Sequence, residues 1–151
     1  MYTAKDLANW FLAKESMTPK KLQKMLYYAY AWTLTLTNEK EDDLSNKLFP
    51  EKFEAWVHGP VIPEIYQEYK EYGYSNIPKC ESEINIDNKD IESILDQVML
   101  VYGKFDGNQL ESITHQEEPW KSARIGYGPL DSCNKVIDDV IMYKTYIERV
   151  S

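Results

Sequence analysis

Thr18-Pro19-Lys20-Lys21-Leu22-Gln23-Lys24-Met25-Leu26-Tyr27-Tyr28-Ala29-Tyr30-Ala31-Trp32 opens the segment whose reading decides the fold. Thr18 is a favoured helix cap, and Pro19 suits the first helical position, where its missing amide proton would have no partner. Leu22, Met25, Leu26, Ala29 and Leu36, with Trp32 or Thr33, then recur at the helical interval. Tyr27, Tyr28 and Tyr30 fall off that stripe. The helix is therefore apolar around much of its circumference, which predicts a central, well-covered element.

Working outward, Ala4, Leu7, Ala8 and Phe11 share the same period, and Thr3 with Asp6 forms a capping-box pattern, so a helix is expected over 4–14. Residues 38–47 read as a polar loop. Phe53-Glu54-Ala55-Trp56-Val57 has the aromatic and β-branched content of a short extended segment, which Gly59-Pro60 is expected to end. Pro63-Glu64 opens another helix, with Ile65, Tyr66, Tyr69 and Tyr72 as its inner side and Gly73 as its stop.

From 74 to 86 the reading is a loop with a short strand at 83–86. Asp87 is expected to cap a helix carrying Ile91, Ile94, Leu95, Val98, Met99 and Tyr102. Asp106 or Asn108 starts a shorter helix through Leu110 and Ile113, and Thr114-x-x-Glu117 resembles a second capping box ahead of Pro119-Trp120. A terminal helix is expected to carry Val136, Ile137, Val140, Ile141 and Ile147. The expected architecture is mainly α: a single compact helical domain over 1–151, of five to seven helices, with a small extended element near 53–57. The turn at His58-Gly59-Pro60 is expected to pack near Trp120.

Composition narrows the function. At 151 residues with 43% hydrophobic content, the chain can bury a full core without staples. No apolar run approaches the roughly 18 residues of a membrane span. The N-terminus enters a helical pattern directly, without the charged and apolar regions of a signal peptide, so the expected location is the cytoplasm. A net charge of −8 and a pI near 4.8 oppose binding to phosphate backbones. The same charge serves plain solubility or the steering of a basic partner.

No phosphate loop or dinucleotide fingerprint is present. His58, His115, Cys80 and Cys133 are isolated from one another, without the paired spacing of a zinc site, and no disulfide framework is implied. His58 reads either as a contact offered to a partner or as a buried imidazole tying the turn to a carboxylate or the backbone; the second is favoured. His115 could pair with Glu117 or Glu118. Lys20, Lys21 and Lys24 form a basic patch on the first turns of the central helix, either an anchor for an acidic partner loop or partners of the chain's own carboxylates. The 12 tyrosines and 4 tryptophans are numerous for this length. Those off the stripes, Tyr27, Tyr28, Tyr30 and Tyr74, are the interface candidates.

Three separated motifs occur in order along the chain: Lys21-Leu-Gln-Lys-Met-Leu-Tyr-Tyr-Ala-Tyr-Ala-Trp32, Phe53-Glu-Ala-Trp-Val-His-Gly-Pro-Val-Ile-Pro-Glu-Ile-Tyr66, and Leu110 with Thr114-His115, Pro119-Trp120 and Ala123-Arg124. Together they resemble the Panacea domain, the family of SocA-like and phage-associated GepA-like antitoxins. The resemblance implies a non-catalytic protein that binds a cognate toxin directly and masks it, with no cofactor and no metal. Partner contacts are expected on Lys21, Lys24, Tyr27, Tyr28, Trp56, His58, His115, Trp120 and Arg124. Self-association is compatible with this reading, whereas membrane and nucleic-acid partners are not expected. Two other readings are an adaptor that delivers a partner to a bacterial protease and an enzyme using His58 or His115.

Overall fold

The computed structural model describes residues 1–81 and 84–150. Two helices, α1 (Ala4–Lys14) and α2 (Pro19–Thr37), precede a hairpin of β1 (Glu54–Trp56) and β2 (Gly59–Val61). Then come α3 (Pro63–Tyr69), a 3-10 turn at Lys70–Tyr72, and α4 (Lys89–Tyr102), α5 (Gly107–His115), α6 (Glu118–Ala123) and α7 (Asp139–Ile147). The mainly helical reading and the extended element near 53–57 hold.

Local chemistry sets the helix starts. Thr3 and Asp6 cap each other reciprocally at α1, and Thr18 Oγ1 accepts the Lys21 amide ahead of Pro19 at α2. Asp106 and Gln109 form the same reciprocal box at α5. The cap of α4 is Asn88 rather than Asp87; its Oδ1 accepts the amides of Asp90 and Ile91. Asp87 instead accepts the Tyr2 hydroxyl. Thr114 and Glu117 form no capping box: Thr114 Oγ1 donates to the Glu111 carbonyl, and α6 starts without a side-chain cap.

Helix α2 is the axis of the molecule. It packs against α1, α3, α4, α5, α7 and β2. Of its 19 residues, 13 are buried, including Tyr27, Tyr28 and Tyr30. Leu7, Phe11, Phe49, Phe53 and Leu95 complete the core around it.

Several segments depart from expectation, among them α3 and its 3-10 extension, where Tyr66 and Tyr72 are exposed rather than turned inward. Gly59-Pro60 does not end the extended element but begins its second strand: Glu54 faces Val61, Ala55 faces Pro60, and Trp56 faces Gly59 across a turn at 57–58. Val136 and Ile137 are not helical. They lie beside β1, where the Ala55 amide donates to the Lys135 carbonyl and the Ile137 amide to the Phe53 carbonyl. Asp138 then caps α7 by accepting the Val140 amide, which starts that helix later than its apolar period suggests. Of the strand expected at 83–86, residue 83 lies outside the described residues and 84–86 form no strand.

A candidate docking groove beside a clamped hairpin

The hairpin is held by side chains that reach its backbone from two helices. Gln23 on α2 makes a two-way contact with Ile62: its Nε2 donates to the carbonyl at 3.1 Å and its Oε1 accepts the amide at 2.8 Å. Lys24 Nζ donates to the Pro60 carbonyl at 3.4 Å. Trp120 on α6 donates its indole N–H to the Trp56 carbonyl at 2.8 Å. Arg124, just past α6, donates to the Ala55 carbonyl at 2.8 Å and also to the carbonyls of Gly128 and Asp131. Each satisfies a buried polar group that would otherwise carry its full desolvation cost. The motif residues of α2 and α6 are thus fasteners for one short hairpin.

Gly59 is required at this junction. Its φ of +108° is strained for any residue with a side chain, and a Cβ there would lie 2.8 Å from Lys24 Cε and 3.0 Å from Thr114 Oγ1. The contact brings α2, the hairpin and α5 together around Lys24.

Lys24 is 1% exposed. Burial pulls its ammonium down to about 7; the nearby Glu111 carboxylate counters this and Lys20 adds to it. Glu111 is shared instead by Lys20, at 2.7 Å, and by His58 Nδ1, at 3.2 Å. These two partners hold the Glu111 carboxyl below its usual range against the opposing effect of desolvation. His115 stacks on Trp120 with ring centroids 3.9 Å apart, and burial lowers its pKa.

Beside this junction a groove of about 760 Å³ runs between the first turns of α2, the hairpin, α3 and the segment 132–134. Leu22, Val61, Ile65 and Tyr69 form apolar parts of its wall, and Trp56 and Tyr66 meet edge to face at 5.0 Å. Trp56 is held in place through its indole N–H, which donates to Glu54 at 2.9 Å. Tyr74, at 96% exposed, stands at the rim. Lys20, Lys24 and His58 line the same groove. A second apolar hollow, of about 390 Å³, lies between α2 and α4, with Leu36 and Val101 exposed beside Trp32 and Val98.

The structure sorts the expected contact residues. Tyr27, Tyr28 and Tyr30 are buried, because α2 is covered along residues 22–31 on all sides; the expectation that they face a partner is corrected. Arg124 is buried as well, spent on three backbone carbonyls. Lys20 and Lys21 are paired within the chain, Lys21 with Glu15 at 2.9 Å and with the Gly103 carbonyl at 2.7 Å. His58 reaches a carboxylate as expected, but from an exposed position rather than a buried one. His115 packs on Trp120 instead of pairing with Glu117 or Glu118. Trp56, His58 and Lys24 come together in the groove wall.

Sequence reasoning named Glu117 only as a capping residue or a partner of His115 and missed its buried role. It is buried where α5 meets α6, and its carboxylate accepts the hydroxyls of Tyr28 and Tyr146 at 2.7 and 2.9 Å and the guanidinium of Arg149 at 2.8 Å. It missed Gln23 too, whose polarity on an otherwise apolar face of α2 was the available signal. Among the described residues no group of three His, Cys, Asp or Glu side chains is placed to hold a metal ion, and no helix is long and apolar enough to cross a membrane.

The fold and groove define a small helical protein organised around a clamped hairpin. The family model described as "Antitoxin SocA-like, Panacea domain" matches residues 22–121, from the first turn of α2 to the middle of α6. The chain belongs to that family. It is similar to Antitoxin SocA of Caulobacter vibrioides (strain NA1000 / CB15N), with 28% identity over 158 residues covering 90% of this chain and 80% of the relative. No solved structure matches it significantly.

Proposed function

We propose that this chain is a non-catalytic antitoxin that neutralises a cognate toxin by direct protein–protein binding. It would act in the cytoplasm as part of a phage- or prophage-borne gene pair. Family membership supports the antitoxin role. The observation that carries the binding mode is the groove between α2, the hairpin and α3: aromatic, open, and set against a hairpin fastened at five side-chain contacts. A rigid apolar cleft with an aromatic rim is the form that interface hot spots take.

The test is co-expression with each neighbouring open reading frame. One neighbour is expected to arrest growth alone and to be rescued by this chain, and rescue is expected to fail when Trp56 and Tyr66 are both changed to serine in a protein that still folds. A locus with no toxic neighbour overturns the antitoxin reading. Rescue by the double variant at wild-type level moves the docking surface elsewhere. Full activity of His115→Ala, in a protein that still folds, is the result expected if His115 performs no chemistry.

A proteolytic adaptor is the second reading, favoured by the separate apolar hollow between α2 and α4, since an adaptor needs one surface for cargo and another for the protease. Partner half-life in cells lacking the protease discriminates the two; unchanged turnover rejects the adaptor.

A further inference from the structure

Resting on the groove as the toxin-docking surface, the geometry points to the chemistry of what fills it. We propose that the occupant is an apolar segment of the partner protein carrying a carboxylate, and that this carboxylate pairs with Lys24 from the groove side.

Charge is unevenly satisfied at one end of the groove. The cations and acids there are Lys20, Lys24, His58, Glu54 and Glu111, with His115 behind them. Lys20 and Glu111 satisfy each other at 2.7 Å, and His58 shares the same carboxylate. Glu54 is engaged by the Trp56 indole. Lys24 remains: an ammonium with three donors, held by one carbonyl at 3.4 Å and by no carboxylate ion pair among the described residues. A buried cation in this condition is costly unless it is neutral or paired. A carboxylate arriving with an apolar segment supplies the missing partner in a desolvated place, where charge-assisted hydrogen bonds are strongest. A lysine or arginine at that position would meet an uncompensated like charge and be rejected. Because the free amine sits near 7, pairing would also draw a proton onto Lys24, so binding should weaken as pH rises above neutrality.

The experiment selects a random peptide library on the full-length protein and then compares synthetic winners with their Asp→Asn or Glu→Gln counterparts by calorimetry. Binding in the groove is confirmed by the NMR shift of the Trp56 indole N–H. The expected result is enrichment of sequences combining aromatic or aliphatic residues with an acid. The amide counterparts should bind wild type about tenfold or more weakly, while Lys24→Met binds both alike. Proton uptake should be visible when buffers of different ionisation heat are compared near neutral pH.

Equal affinity of acid and amide peptides for wild type overturns the proposal without reliance on any variant. So does retained acid preference in Lys24→Met, failure to enrich any peptide, or occupation of the groove by a second copy of the chain. Toxin rescue by Lys24→Met with no acid preference sinks this inference and leaves the antitoxin reading standing. Acidic peptides that bind the groove in a locus without a toxin do the reverse.

Discussion

Two ionisable side chains, Lys24 and Glu117, are buried, and they are treated in opposite ways. Glu117 is surrounded by donors chosen for it: two tyrosine hydroxyls and a guanidinium, within 2.7 to 2.9 Å. Around them the aromatic rings close further, with Tyr28 stacked on Tyr102 at 3.9 Å and the Tyr27 and Tyr146 hydroxyls 3.0 Å apart. Lys24 has one long contact and an open groove beside it. The first arrangement is finished within the chain and welds α2, α6 and α7 together. The second is unfinished. A domain that neutralises its acid so completely while leaving its lysine almost bare has placed its unmet electrostatic demand on the face that also carries the exposed aromatics.

The comparison breaks most directly at Glu117. Replacing it with alanine leaves two buried hydroxyls without their acceptor, at about 1–3 kcal/mol each, and unpairs a guanidinium whose side chain is 45% exposed. Chemical denaturation of Glu117→Ala should show a loss of that size. A loss below about 1 kcal/mol would mean that the tyrosine cluster is not the weld described here.

Sharpening it requires separating Glu117's partners. Tyr28→Phe deletes one fully buried donor to a charge and is expected to cost about 1.5–3 kcal/mol. Arg149→Met deletes a guanidinium whose side chain is 45% exposed, and screened pairs of that kind contribute about 0–1 kcal/mol. Denaturation midpoints of the two variants, measured side by side, should rank them in that order. The reverse order would make the ion pair, rather than the hydroxyls, the stabilising element.

The two clusters also differ in how far they could be read from sequence. The ends and period of α2 were legible in Thr18-Pro19 and the apolar stripe, because caps and periodicity are local. That most of its circumference is covered was legible as well, although the burial of Tyr27 and Tyr28 that follows from it ran against their reading as interface residues. Glu117 was not legible: its partners stand at 28, 146 and 149, and nothing local distinguishes a carboxylate that will be buried from one that caps a helix. The second strand escaped for a related reason. Gly59-Pro60 is a breaker by local rules, but Gln23 and Lys24, distant in sequence, hold residues 60–62 extended. Val136 and Ile137 fit a helical period until a partner strand offered them backbone hydrogen bonds. Of the groove, the aromatics were visible as an excess over what a core of this size needs, whereas their convergence depended on the clamp.

Lys24→Met is the perturbation whose sign decides the contrast. If Lys24 is an unmet charge, an apolar side chain of similar length relieves it, and the variant should be more stable than wild type at pH 7 by about 1–2 kcal/mol. The wild-type amine titrates at about 7 when folded, below its unfolded value of 10.5, so the unfolded chain binds more protons between those values. Wild-type stability should therefore rise with pH from 7, by at most roughly 1.4 kcal/mol per pH unit, and the variant should lack that rise. The clean window closes near pH 10. There Tyr27, Tyr28, Tyr30 and Tyr146, all held above the usual phenol range by burial, begin to favour the unfolded chain as it loses their protons first. Below about 6.5 His115 adds its own slope, since burial depresses its pKa and stability falls as it takes up a proton. Between 7 and 10 wild type should gain on the variant, because the proton its lysine sheds on folding is released at falling cost as pH approaches the unfolded value. Parallel stability curves across that window would show Lys24 to be as well satisfied as Glu117, and the difference between the two sites would vanish.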